Sequence, residues 1–89
     1  MSLLESRILK VDPKKLTEEV TSVIIAHRKD QGLSHEKLAE LAGVSRSTIS
    51  RIESEQTNGT LFVFQKVANA LGVSLSSILE TAEKQVVDR

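Results

Sequence analysis

Apolar residues recur along this chain in steps of three and four. Leu16, Val20, Val23 and Ile24 form one set, Leu38, Ala39 and Ala42 a second, and Ile49 and Ile52 a third. Leu61, Phe64, Val67, Ala68 and Leu71 form a fourth, and Leu75, Ile78, Leu79, Ala82 and Val86 a fifth. That spacing places each set on one side of a helix, whereas a half-buried strand needs strict alternation. The pattern predicts five short helices and a core that needs no strand.

The breaks between the sets are marked by a repeated tripeptide: Gly32-Leu33-Ser34, Gly43-Val44-Ser45 and Gly72-Val73-Ser74. Glycine can take the left-handed conformation that closes a helix, and serine is a strong N-cap for the next. An apolar residue precedes each serine and another lies four positions after it, pairing Leu33 with Leu38, Val44 with Ile49 and Val73 with Ile78. This hydrophobic-staple spacing sets the angle at which the chain enters each helix. The first helix is expected from Pro13, capped by Asp12, to about Asp30, the second from about His35 to Ala42, and the third from after Ser45 to about Ser54. Asn58-Gly59 reads as a turn, Thr60 as the cap of the fourth helix and Ser74 as the cap of the fifth.

Composition narrows the class without naming a partner. The 89 residues leave room for one domain with a modest core, read as an N-terminal arm over 1–12 and a helical domain over 13–89, with no separate sensing or catalytic domain. No cysteine is present, so a disulfide or thiolate-metal framework is excluded. No apolar run approaches a membrane span and no leader-like segment opens the chain, which predicts a cytoplasmic protein. Twelve basic and twelve acidic side chains cancel, so net charge offers no hint of an anionic partner.

The second and third helices stand apart because only Gly43, Val44 and Ser45 separate them. A glycine-led turn this short forces a steep crossing, the geometry of a helix-turn-helix over about 35–54, whose second helix enters the DNA major groove. Ala39 is small where the helices must approach, and Val44, Ile49 and Ile52 fill the wedge. At about 100° per residue, Arg46, Ser47, Ser50, Arg51 and Ser54 fall within an arc of roughly 140°, with both isoleucines pointing away. Serine is a poor helix former and an indifferent surface helix favours Glu, Lys and Ala. Short hydroxyls interleaved with arginines suit a helix whose backbone must come close to base edges and phosphates.

At these residues the chain resembles the Cro and repressor type of helix-turn-helix, the xenobiotic-response-element family of bacteria and their phages. The stretches GLSHEKLAELAGVSRSTISRIES and LFVFQKVANALGVSLSSIL carry the likeness, from about Val20 to Leu79. The resemblance implies an all-α, compact five-helix bundle of the lambda-repressor kind, acting as a two-fold dimer on operator DNA. It further implies Arg46, Ser47 and Arg51 as base readers, Ser45 and Ser54 as phosphate contacts, and Arg28 with Glu53 as a structural ion pair. His35 stands where many members carry a glutamine that touches a phosphate. Protonation would strengthen that contact, so affinity is expected to rise modestly as pH falls toward about 6. The loop Glu55 to Gly59 departs from the glycine-lysine pattern of many members and lacks its basic anchor.

Other features are read more plainly. His27 is a surface or partly packed histidine, and Lys14-Lys15 is charge at a helix start. His27 and His35 lie on separate helices without clustered acids, so no metal site is expected, and no cofactor either. No phosphate loop, nucleophile triad or paired carboxylates argue for an enzyme. His35, Lys37, Arg46 and Arg51 form a local positive set on a neutral chain, too few for strong binding by one subunit. Phe62 and Val63 make the fourth helix apolar beyond one core face, and Ala82 and Val86 extend the fifth. Together they predict a homodimer interface, with the arm over 1–12 contributing. The function expected is a sequence-specific, double-stranded-DNA-binding transcription regulator on an inverted-repeat operator. The alternative is an antitoxin-like module that uses the same fold to hold a toxin-like protein partner.

Overall fold

A computed structural model describes residues 9–55 and 59–87. Within them the chain forms α1 (Pro13–Asp30), α2 (His35–Ala42), α3 (Arg46–Glu53), α4 (Leu61–Leu71) and α5 (Leu75–Val87), with no strand among the described residues. Residues 1–8 of the expected arm, Gln56 and Thr57 of the loop and Asn58 of the expected turn lie outside the described residues.

Each helix starts where a side chain can meet its orphan amides. Asp12 Oδ1 accepts from the Lys14 and Lys15 amides at 2.9 and 3.3 Å. Ser34 accepts from Lys37 N at 3.0 Å, Ser45 from Thr48 N at 3.1 Å, Thr60 from Val63 N at 3.2 Å and Ser74 from Ser77 N at 3.1 Å. Replacing such a cap by alanine costs about 1 kcal/mol, so these four hydroxyls and one carboxylate are a substantial share of what frames the bundle. Gly43 and Gly72 close α2 and α4 at φ 71° and 73°, a conformation that disfavours any side chain with a Cβ. The chain turns by 104° between α4 and α5 across the second of these glycines.

The helices wrap one core. α5 lies along α1, α2 packs on both α3 and α4, and α1 also meets α3 and α4. Val20, Val23, Ile24, Leu38, Ile49, Val67, Leu71 and Ile78 fill the centre, with Ala39, Ala42, Ala68 and Ala82 where backbones approach. Full burial of one of the large side chains stabilises the fold by about 1.5–3 kcal/mol.

Two residues depart from the spacing, and a third from the interface it was expected to line. Leu61 is 72% exposed because it occupies the first position of α4, before that helix reaches the core. Leu79 is also exposed. Ala82, expected at a dimer interface, is 0% exposed: it lies in the core cluster of the single chain and offers no surface to a partner. Val63 is half-buried against that core, while Val86 is half-buried at the end of α5.

Candidate nucleic-acid interface

The turn between α2 and α3 is built from backbone geometry. Gly43 in its left-handed conformation lets Val44 N reach the Ala39 carbonyl at 3.0 Å, and Ser45 then caps α3. Lys66 of α4 adds a support from outside, its Nζ donating to the Gly43 carbonyl at 3.4 Å. Ile49 and Ile52 anchor the inner side of α3 in the core, which leaves Arg46, Ser47, Ser50, Arg51 and Ser54 on the exposed side. A rigid scaffold therefore presents one polar arc.

Neither the Arg46 nor the Arg51 guanidinium has a hydrogen-bond or ion-pair partner among the described residues. A guanidinium carries five fixed donors, so two of them left unspent on one helix can grip a planar acceptor outside the chain. The hydroxyls are partly committed. Ser45 Oγ lies 3.1 Å from Ser47 Oγ and 2.8 Å from Thr48 Oγ1 while accepting the Thr48 amide, so its first task is to cap α3. Ser54 Oγ donates to the Arg51 carbonyl at 3.3 Å. Lys37 pairs loosely with Glu40 at 3.7 Å on the open surface, a contact worth little.

The inner end of α3 is wired differently. Arg28 Nε donates to Glu53 Oε2 at 2.6 Å and Nη2 to Oε1 at 2.9 Å, while Nη1 donates to the Leu33 carbonyl at 2.8 Å. One side chain of α1 thus binds both the α1–α2 connection and the end of α3. His35 Nε2 joins from the first position of α2, 2.9 Å from Glu53 Oε1. Burial pushes the Glu53 carboxyl up, yet the hydrogen bonds from Arg28 and His35, reinforced by their charges, outweigh it and hold Glu53 below its ordinary value. An ionised carboxylate only accepts, so His35 Nε2 carries the proton in this bond. Thr21 completes the seam, its buried hydroxyl donating to the Ile52 carbonyl at 3.5 Å.

The structure therefore brings Arg28 and Glu53 together and adds His35 to them, a link that spacing did not reveal. Lys29, not singled out in the sequence, lines the same recess as His35, Ser50 and Ser54. Its position directly after Arg28 was the available signal, because adjacent residues near a helix C-terminus can serve an inner partner and an outer surface. Phe62 is 69% exposed at the start of α4, its ring 4.8 Å from Lys66 Nζ.

Comparison with known proteins agrees with this geometry. The helix-turn-helix family model matches residues 24–78. The HTH-type transcriptional regulator PuuR of Escherichia coli (strain K12) is 39% identical over 57 residues, 64% of this chain and 31% of that protein. The immunity repressor protein of Bacillus phage phi105 is 41% identical over 56 residues, 63% of this chain and 39% of its own. The chain thus spans about a third of the length of these curated relatives. Among solved structures, the restriction-modification controller protein C.Esp1396I superposes with a TM-score of 0.75 at 28% identity, covering 83% of this chain and 96% of that one. A point mutant of that controller, bound to its highest-affinity operator site OM, superposes with a TM-score of 0.74.

Proposed function

The chain belongs to the helix-turn-helix family, and we propose that it is a cytoplasmic transcription regulator that binds double-stranded operator DNA sequence-specifically as a homodimer. The observation that carries this reading is the pair of unpartnered arginines on the exposed arc of α3, held by a helix whose other side is locked in the core. In the major groove, Arg46, Ser47 and Arg51 read bases, and Ser50 lets the backbone approach. Ser45, Ser54 and His35 meet phosphates. Two copies place their α3 helices in successive grooves about 34 Å apart, so the site is an inverted repeat and the bound dimer acts by occupancy. The dimer forms through Phe62 and Val63 of α4 and Val86 of α5, since so large an exposed aromatic at a helix start is surface that a second subunit can cover. Residues 1–12 are the arm and 13–89 the binding domain.

Selection of sites from random duplex DNA, repeated with Arg46→Ala and Arg51→Ala, tests the reading. An inverted repeat whose enrichment fades at defined bases in each variant supports it. A folded protein that enriches no sequence would overturn it in favour of a protein-interaction module, whose partner would then be sought through the Leu61 and Phe62 surface. Sedimentation at micromolar concentration tests the dimer separately, and a monomer there removes it.

A further inference from the structure

Between α1, the start of α2 and the end of α3 lies an open recess of about 310 Å³, lined by Ile25, Arg28, Lys29, His35, Ser50, Glu53 and Ser54. Its charges do not cancel. The Arg28 guanidinium is spent on Glu53 and the Leu33 carbonyl, which leaves the Lys29 ammonium as the recess's unspent cation among the described residues. Ser50 and Ser54 supply hydroxyls from the same arc that carries Arg46 and Arg51. The recess therefore borders the groove-facing side of α3, where a strand of a bound duplex would pass.

His35 decides how the recess meets an anion. Its Nε2 proton is committed to Glu53, so in the neutral ring Nδ1 is only an acceptor and opposes a phosphate oxygen. Protonation turns Nδ1 into a donor without disturbing the bond to Glu53. The charged groups around the ring are Arg28 and Lys29 from α1 and Glu53 from α3, with Glu36 and Lys37 following on its own helix. Arg28 and Glu53 offset each other, so a proton on His35 takes the recess from one net positive charge to two.

We propose that this recess seats one phosphate of the DNA backbone, with Lys29 as a phosphate contact contributed by α1 and His35 Nδ1 as a donor present only when the ring is protonated. The proposal rests on the DNA-binding reading above and names a contact that reading lacked. Lys29 extends the footprint from the helix-turn-helix onto α1. His35 makes the grip depend on its protonation, because only the protonated ring offers a donor at both nitrogens.

The test is affinity of the full chain for its selected duplex and for random-sequence duplex, across a salt series at pH 6 and pH 8. Lys29→Gln should weaken binding about three- to tenfold per subunit near 0.1 M salt. It should also lower the slope of log affinity against log salt by about 0.9 per subunit. Lys84→Gln, on the exposed side of α5, should change neither. The unaltered chain should bind about two- to fivefold more tightly at pH 6 than at pH 8. His35→Gln, whose amide donates at any pH, should abolish that difference while His27→Gln keeps it. An unchanged slope in Lys29→Gln overturns the phosphate seat, and a pH effect that survives His35→Gln overturns the gate. Failure of the unaltered chain to bind either duplex overturns the DNA-binding reading itself, so the two failures are distinct.

Discussion

At the inner end of α3, Glu53 accepts from Arg28 at both oxygens and from His35 at one, and its side chain is only 7% exposed. On the outer side of the same helix, Arg46 and Arg51 are exposed and have no partner among the described residues. Both regions are charged, but one spends its charge on holding three helices together and the other keeps it for something outside. The first should govern stability and the second binding. A helix of eight residues can do both because its isoleucines fix its rotation about its own axis.

The sharpest break in that contrast is Glu53→Ala. It strands the half-buried Arg28 guanidinium without its partner and should cost about 3 kcal/mol in urea unfolding. Arg46→Ala and Arg51→Ala should leave the same unfolding curve within about 0.5 kcal/mol. A Glu53→Ala protein as stable as the parent would show that the joint is ornamental. Binding should rank the residues the other way round. Each arginine should remove about 1–3 kcal/mol of discrimination at its own base position, read from affinities for matched and mismatched sites. Loss spread evenly over all sequences would instead make that arginine a phosphate contact.

Acid sharpens the comparison further. Glu53 titrates lower in the folded chain than its ordinary 4.5, so the unfolded chain binds more protons in the interval between the two values. The stability it contributes is fully present above that ordinary value and is lost as pH falls through the folded one. Urea midpoints from pH 7 down to pH 3 should therefore decline, and the Glu53→Gln protein should show a shallower decline. Parallel curves would place the acid sensitivity elsewhere.

The smallest effect sits just beyond α3. Glu55 holds φ 61°, in the left-handed region where a Cβ is strained. Glu55→Gly should raise the thermal midpoint, corresponding to about 0.5–1 kcal/mol after glycine's larger unfolded entropy is set against the relief. A lower midpoint would mean that the Glu55 side chain makes a contact that outweighs the strain.

Much of the architecture was legible because it is local. Asp12, Ser34, Ser45, Thr60 and Ser74 cap helices that begin within a few bonds of them, and Gly43 and Gly72 close helices by their own dihedral freedom. The exposed arc of α3 was legible for the same reason, since two isoleucines set which side turns inward. Spacing was less informative where a position lies near the edge of an apolar stripe or at a helix end. Leu61 has core spacing yet stands outside the core, whereas Ala82 obeys its core spacing and is thereby lost to the interface it was also assigned to. Glu53 falls only about 40° around the helix from Ile49, at the border of the two sides.

By itself, then, the sequence determined the helices, their caps, the short turn between α2 and α3, and the composition of the arc that α3 presents. Each depends on groups separated by no more than a turn or two of chain. Only the tertiary structure decided that His35 would donate a hydrogen bond to Glu53 and that Lys29 would border the same recess. Those outcomes depend on how helices distant in sequence approach one another, which dihedral preference and periodicity leave open until packing chooses.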